Sequence, residues 1–416
     1  MVVAIAPVLI AIASFLLRIF NIASIKSMIF DEIYYVDGAR DLLKYRVEVT
    51  GADPEFVVHP PLGKWLIGSG IRVFGDNPLG WRFATAVIGS LMILIVAAIA
   101  HRLFYSPLLT ALASALMAVD GLALVHSRTA LLDNFLAFFI LTATNFFISR
   151  KYWWTGLFLG LALSTKWSAL YFIAVFGLIA LYRAFAHHTG RDLIRPTLNR
   201  IAAFGILPFA IYITSWWGWF ASNRGWDRNH SGNPITSFLF YHKEMLNFHT
   251  SLTSKHPYEA NPWSWLIMGR PTSFYYETPK NCGASSCSQE VLALGTPLLW
   301  WLGTIAIAVV VGFWIRSFFT RRFDPAVTII ISGIAAGYLP WFFFQERTVF
   351  SFYAIIFEPF VILALVYCAR AIKNHYVIGA VFIVIALNFI YFLPLYLGQV
   401  TTYEAWRAHM WFASWI

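Results

Sequence analysis

The stretch FATAVIGSLMILIVAAIA, Phe83 to Ala100, contains no charged side chain. A helix crosses a bilayer with roughly 20 apolar residues. In lipid, only helices and closed barrels satisfy their own backbone polar groups. The stretch shows no period-two alternation, so it reads as a membrane-spanning helix. Ala202–Trp219, Thr296–Trp314 and Tyr376–Leu397 read the same way.

Composition extends the reading to the whole chain. Of 416 residues, 59% are hydrophobic and 12% charged, against about 25% charged in a soluble domain. The fold class expected is all-α and integral to the membrane, with about eleven spans in one polytopic domain over 1–416. Approximate limits are 2–23, 83–104, 107–125, 131–149, 153–165, 167–185, 201–219, 294–315, 325–344, 350–369 and 376–397. Val2–Leu17 lacks a basic start and a small-residue cleavage site, so it reads as a retained first span rather than a signal peptide. The net charge of +10 does not indicate nucleic acid, because the basic residues lie between apolar segments and not in one soluble patch.

With the N-terminus cytoplasmic, every cytoplasmic connection is basic: Arg102; Arg150 and Lys151; Arg183, Arg191, Arg195 and Arg200; Arg316, Arg321 and Arg322; Arg370 and Lys373. The positive-inside rule selects that orientation. Two long segments, 24–82 and 220–293, then face outward, as juxtamembrane and partly amphipathic helices. In Ile33–Leu43, apolar Ile33, Val36, Ala39 and Leu43 recur at helical spacing. Cys282 and Cys287 share the second outward segment. Close cysteines in an oxidising compartment read as a disulfide, whereas two ligands alone make a poor metal site. Cys368 lies in an apolar run and reads as a buried thiol.

Candidate chemistry gathers at the outward face. Asp31 and Glu32 follow the first span directly, where partial desolvation raises a carboxylate's pKa and makes it a better proton acceptor. In His59-Pro60-Pro61-Leu62-Gly63-Lys64, Pro61 can open a helix and place Lys64 in its first turn. Asp120, Arg128, Asp133 and Lys166 fall at outward span ends or short turns. Charged residues there cost roughly 2.5–3.5 kcal/mol to insert unpaired, which marks them as functional candidates, or as members of a structural ion pair such as Arg128 with Asp120 or Asp133. Arg347 stands in another outward turn. Together with Arg128 and Lys166 it offers cations to a phosphate-bearing lipid headgroup.

The ordered set Arg18-Ile19-Phe20, Phe30-Asp31-Glu32, His59–Lys64, Asp120-Gly121-Leu122, Ser127-Arg128, Leu131-Leu132-Asp133 and Ser164-Thr165-Lys166-Trp167 resembles the protein O-mannosyltransferase family. Within it, the Cys282–Cys287 loop and Trp411–Ile416 are similar to actinobacterial members. The resemblance implies a GT-C-type membrane glycosyltransferase, moving mannose from polyprenyl-phosphate mannose to Ser or Thr of exported proteins at a bacterial plasma membrane. By that resemblance Asp31 is the catalytic base, Glu32 supports acceptor binding or orients the site, and Arg18, Arg128 and Lys166 are site residues. Lys64 and Arg347 join the donor set; His59, Asp120 and Asp133 support it. A single base without a second nucleophile implies inversion. No metal or other cofactor is required by this account, although a weak Mg²⁺ site stays open. The membrane lipid and the protein translocon are further expected partners. Eukaryotic members carry a large soluble domain in the loop after the seventh span, and here that loop is only about 70 residues. Two other readings compete: a related transferase with a lipid or glycan acceptor, and a transporter of lipid-linked sugar. The latter class tends to show internal repeats and midplane sites, which this chain lacks.

Overall fold

The computed structural model describes residues 2–280 and 282–416, with side chains from residue 5 onward; Met1 and Asn281 lie outside it. Among the described residues, six helices have the length and apolarity to cross a membrane: Pro78–Phe104, Ala169–His187, Gly190–Ser215, Pro297–Thr320, Pro325–Phe343 and His375–Leu397. Five shorter apolar helices accompany them: Ile5–Ile19, Pro107–Ala118, Leu132–Ile148, Tyr152–Leu163 and Glu358–Ala369. Each of the eleven expected spans overlaps one of these helices, but only six of the helices are long and apolar enough to cross a membrane, so the expected count of eleven is not reached by length and composition.

Two compact units share the chain. One comprises Met1–Phe30, Thr85–Thr129 and Lys255–Ile416; the other comprises Asp31–Ala84 and Ala130–Ser254. In the first unit, the helix Val2–Ile19 packs on Pro107–Ala118, and Pro297–Thr320 packs on Glu358–Ala369. Gly333 lets Pro325–Tyr338 pack against Phe360, because a Cβ there would enter the ring. In the second, Leu132–Ile148 packs on Tyr152–Leu163, and Glu32–Tyr45 on Leu62–Phe74. Gly63 brings Leu62–Phe74 close to Leu132–Ile148, since a Cβ there would sit 2.6 Å from Leu132 Cδ2.

The outward segments hold more than helices. The first contains the helix Glu32–Tyr45, where Ile33–Leu43 shows helical spacing, and the helix Leu62–Phe74, which Pro61 opens as its N-cap. The second contains the helix Pro234–Ser251, whose Asn233 cap accepts from Ile235 N–H at 2.9 Å. It then departs from the expected helices and forms antiparallel strands, Thr272–Glu277 and Cys287–Ala293. Val400–Thr402 adds a third strand from beyond the last span. The Cys282–Cys287 disulfide closes the turn between the first two strands.

Candidate active site

In the second unit the site is built around the entry to the helix Glu32–Tyr45. Phe30, immediately before it, has φ +48°, a sparsely populated backbone region for a bulky residue. Packing in the first unit holds it there: the Phe30 ring stacks on Phe274 at 4.7 Å and meets Phe352 edge-on at 5.3 Å. Asp31 occupies the N-cap position. An N-cap Asp ordinarily accepts from a backbone N–H of the first turn, but Asp31 makes no such bond. Its carboxylate instead accepts a long bond from Tyr35 OH at 3.4 Å. Burial raises its pKa to about 6; the Lys166 charge opposes that rise and Asp133 adds to it. The result is a half-buried carboxylate, unused by the backbone, ionised at neutral pH and more basic than an ordinary Asp.

Glu32 has the opposite surroundings. It is fully buried, and both oxygens are engaged. Arg82 grips it bidentately, Nε to Oε1 at 2.8 Å and Nη2 to Oε2 at 2.7 Å, while Ala130 N–H donates to Oε1 at 2.8 Å. One carboxylate thus ties the helix Glu32–Tyr45 to the start of the helix Pro78–Phe104 and to the turn before Leu132–Ile148. Two further buried pairs brace the unit. Lys166 Nζ lies 3.0 Å from each Asp133 oxygen, and Lys64 Nζ lies 2.8 Å from Glu48 Oε1. His59 adds an aromatic wall, with its ring 6.0 Å from Tyr35 and 5.5 Å from His249. Trp167, beside Lys166, lies 5.5 Å from the same His249 ring.

The first unit gathers the other candidates. Asp120 is a fully buried N-cap. It accepts from Leu122 and Ala123 N–H at 2.8 and 3.2 Å, from Thr296 N–H at 3.1 Å and from Trp300 Nε1 at 2.9 Å. Four donors make it a staple between helix starts. Arg18 is fully buried, donates to Ser14 Oγ, and feels the charges of Glu358 and Asp120; its Nε and Nη2 have no hydrogen-bond partner. Arg128 pairs with neither Asp120 nor Asp133. Its Nη1 donates to the carbonyls of Arg18 and Phe20 at 2.8 and 2.7 Å, and to Leu17 O at 3.2 Å, closing the C-terminus of the first helix with a cation. Arg347 is half-buried in its turn. Among the described residues no three His, Cys, Asp or Glu side chains gather as metal ligands.

Arg82, Glu48, Tyr35 and Glu358 are absent from the candidates drawn from sequence. Two of them carried a usable signal. Arg82 abuts the apolar run that begins at Phe83, and Glu358 lies inside an expected span. The rule that flags charged residues in membrane segments applies to both.

Among solved structures, the Saccharomyces cerevisiae protein O-mannosyltransferase Pmt1-Pmt2 complex bound to the sugar donor superposes with TM-score 0.86 at 15% identity, over 100% of this chain and 93% of that one. ArnT from Cupriavidus metallidurans bound to undecaprenyl phosphate superposes with TM-score 0.58 at 15% identity, over 91% of this chain and 63% of that one. The fold is that of the GT-C class of membrane glycosyltransferases. Residues 73–221 match the dolichyl-phosphate-mannose–protein mannosyltransferase family, and residues 234–415 match the C-terminal four-transmembrane region of protein O-mannosyltransferases. The polyprenol-phosphate-mannose–protein mannosyltransferase of Corynebacterium glutamicum is 33% identical over 93% of this chain and 88% of its own length. That of Mycobacterium tuberculosis (strain CDC 1551 / Oshkosh) is 30% identical over 98% and 91%. The chain belongs to the protein O-mannosyltransferase family, and it is a glycosyltransferase.

Proposed function

We propose that this enzyme transfers mannose from polyprenyl-phosphate mannose to Ser or Thr hydroxyls of exported proteins, at the outer face of a bacterial plasma membrane, with Asp31 as general base. The observation that carries the reading is the Asp31 carboxylate, which sits at a helix N-cap yet caps nothing and has its pKa raised to about 6. A base of that strength is ionised at pH 7 and accepts a proton more readily than a solvated Asp.

The acceptor hydroxyl gives its proton to Asp31 as its oxygen bonds to the anomeric carbon. The bond from that carbon to the phosphate oxygen breaks, and the polyprenyl phosphate leaves with the electron pair. One base with no second nucleophile gives inversion, so a β-linked donor yields an α-linked mannose. Lys166, held by Asp133, is the cation assigned to the departing phosphate, and Arg347 is assigned to the same role. Charge stabilisation of this kind is usually the largest contribution to catalysis. Lys64, paired with Glu48, and Arg128, donating to backbone carbonyls of the first helix, are each assigned a positioning role within their own unit. Glu32 orients the site through Arg82. The outward location rests on the basic connections at the other membrane face, and the protein translocon is proposed as a partner there.

Transfer of radiolabelled mannose from polyprenyl-phosphate mannose to a Ser/Thr-rich peptide tests the reading. Asp31→Asn should keep donor binding and lose turnover by about 10²–10⁴-fold. Near-normal turnover in Asp31→Asn would remove the base. Labelling of a lipid acceptor in place of the peptide would replace the acceptor class.

A further inference from the structure

At the far end of the helix Pro297–Thr320 from Asp120 lies a second polar feature. This helix starts beside the Asp120 staple and, at 1.5 Å per residue, its 24 residues carry the chain about 36 Å, a full hydrocarbon thickness. There an open recess of about 500 Å³ is lined by Arg316, Ser317, Thr320, Arg322, Asp324 and Tyr367, among others. Its negative charge is already committed. Asp324 caps the helix Pro325–Tyr338 through Ala326 N–H at 2.8 Å, accepts from Tyr367 OH at 3.2 Å, and lies 3.8 Å from Arg370. Ser317 and Thr320 donate to their own helix, to Trp314 and Arg316 carbonyls. Arg316 and Arg322 remain, exposed and without a carboxylate within 4.0 Å among the described residues. Around them Phe318, Phe319 and Phe323 stand exposed, as aromatic rings do at the headgroup level of a bilayer.

Two unpaired guanidiniums over a recess, ringed by aromatics at the membrane boundary, match one chemistry. Basic pockets between membrane helices on the cytoplasmic side take anionic headgroups, and a guanidinium grips phosphate oxygens in a bidentate way. We propose that this recess binds the phosphodiester headgroup of an anionic phospholipid in the leaflet faced by the basic connections. The three phenylalanines flank the acyl chains. The site is separate from the donor site, and it holds whichever sugar or acceptor the enzyme uses.

The purified full chain in phosphatidylcholine bilayers, probed with spin-labelled phosphatidylglycerol and spin-labelled phosphatidylcholine, tests this. The motionally restricted fraction should favour phosphatidylglycerol by about fivefold for one engaged basic group and up to roughly thirtyfold for two near a lipid surface. Arg316→Gln with Arg322→Gln should reduce that preference to below twofold. Arg195→Gln, an exposed arginine elsewhere on the chain, should leave it intact. Both recess arginines are exposed, so the double variant should elute and melt as wild type does; the single Arg322→Gln provides the same readout should the double variant not fold. Absence of a preference in wild type would overturn the proposal, as would its survival in the double variant. Equal loss in Arg195→Gln would reduce it to diffuse surface charge. Displacement of the labelled lipid by millimolar inorganic phosphate would make the recess a free-anion site and overturn the assignment to lipid.

Discussion

Asp31 and Glu32 are consecutive, and the sequence alone assigned both to chemistry at the membrane boundary. Geometry separates them, because helical rotation turns Glu32 into the core toward Arg82 and leaves Asp31 at the helix entry. The raised pKa of Asp31, about 6, has a direct kinetic consequence. Below that pH the carboxyl is protonated and cannot accept the acceptor's proton, so kcat/KM should fall about tenfold per pH unit beneath 6 and stay level just above it. A limb near 4, where a solvated Asp titrates, would show that another group sets the rate. For Glu32 the expectation concerns stability. Arg82→Ala strands a buried carboxylate, which typically costs about 3–5 kcal/mol, so thermal unfolding of the purified protein should shift down sharply. An unshifted transition would mean that the pair is not formed in the membrane. Arg128→Ala should likewise lower thermal stability more than donor affinity, since its guanidinium closes a helix end with backbone carbonyls. Spacing could not show this, because a cation near two acids reads as an ion pair until the carbonyls of Arg18 and Phe20 are placed beside it.

At the scale of elements, helices were legible wherever one face was buried. Ile33–Leu43 announced itself by apolar residues at helical spacing, and of that stripe the helix Glu32–Tyr45 buries Val36 and Ala39, while Ile33 is exposed and Tyr35 and Leu42 complete the buried face. The strands were not legible. Cys287–Ala293 is buried at six of seven positions, so the period-two signal of a half-exposed strand is missing. Its partner Thr272–Glu277 places its aromatics in a segment that resembles a membrane-surface helix. The cysteine pair was readable because a disulfide depends on compartment and proximity and needs no strand to be recognised. Replacing both cysteines, Cys282→Ser with Cys287→Ser, frees a short turn, and chain-entropy arguments give about 2 kcal/mol for so small a loop. Amide exchange should therefore rise in Cys287–Ala293 and hardly change in the helix Glu32–Tyr45. Uniform acceleration across both would mean that the bond supports more than its own hairpin.

For the whole molecule, composition and apolar runs were enough to reveal a many-helix membrane protein, because lipid permits few ways to satisfy a backbone. The grouping of helices was not visible, since it depends on contacts between residues more than a hundred positions apart, as in Thr296 with Asp120. Orientation is open to direct test. In a Cys368→Ser background, a thiol at Thr253→Cys should react with an impermeant maleimide on intact cells, and one at Thr189→Cys should react only after permeabilisation; the reverse pattern would invert the topology. The interleaving of the two units also has a biosynthetic consequence. Chain emerging from a ribosome contains all of the second unit once Ser254 is made, while the first unit still lacks Lys255–Ile416. At 5–20 residues per second that stretch takes on the order of 10–30 s. During that interval Arg18 and Asp120 already exist, but Glu358, Thr296 and Trp300, which surround them in the finished protein, have not been synthesised. The nascent first unit must wait with Asp120 short of its Thr296 and Trp300 donors and Arg18 short of Glu358, and it is at this stage that a quality-control protease would find the protein most vulnerable.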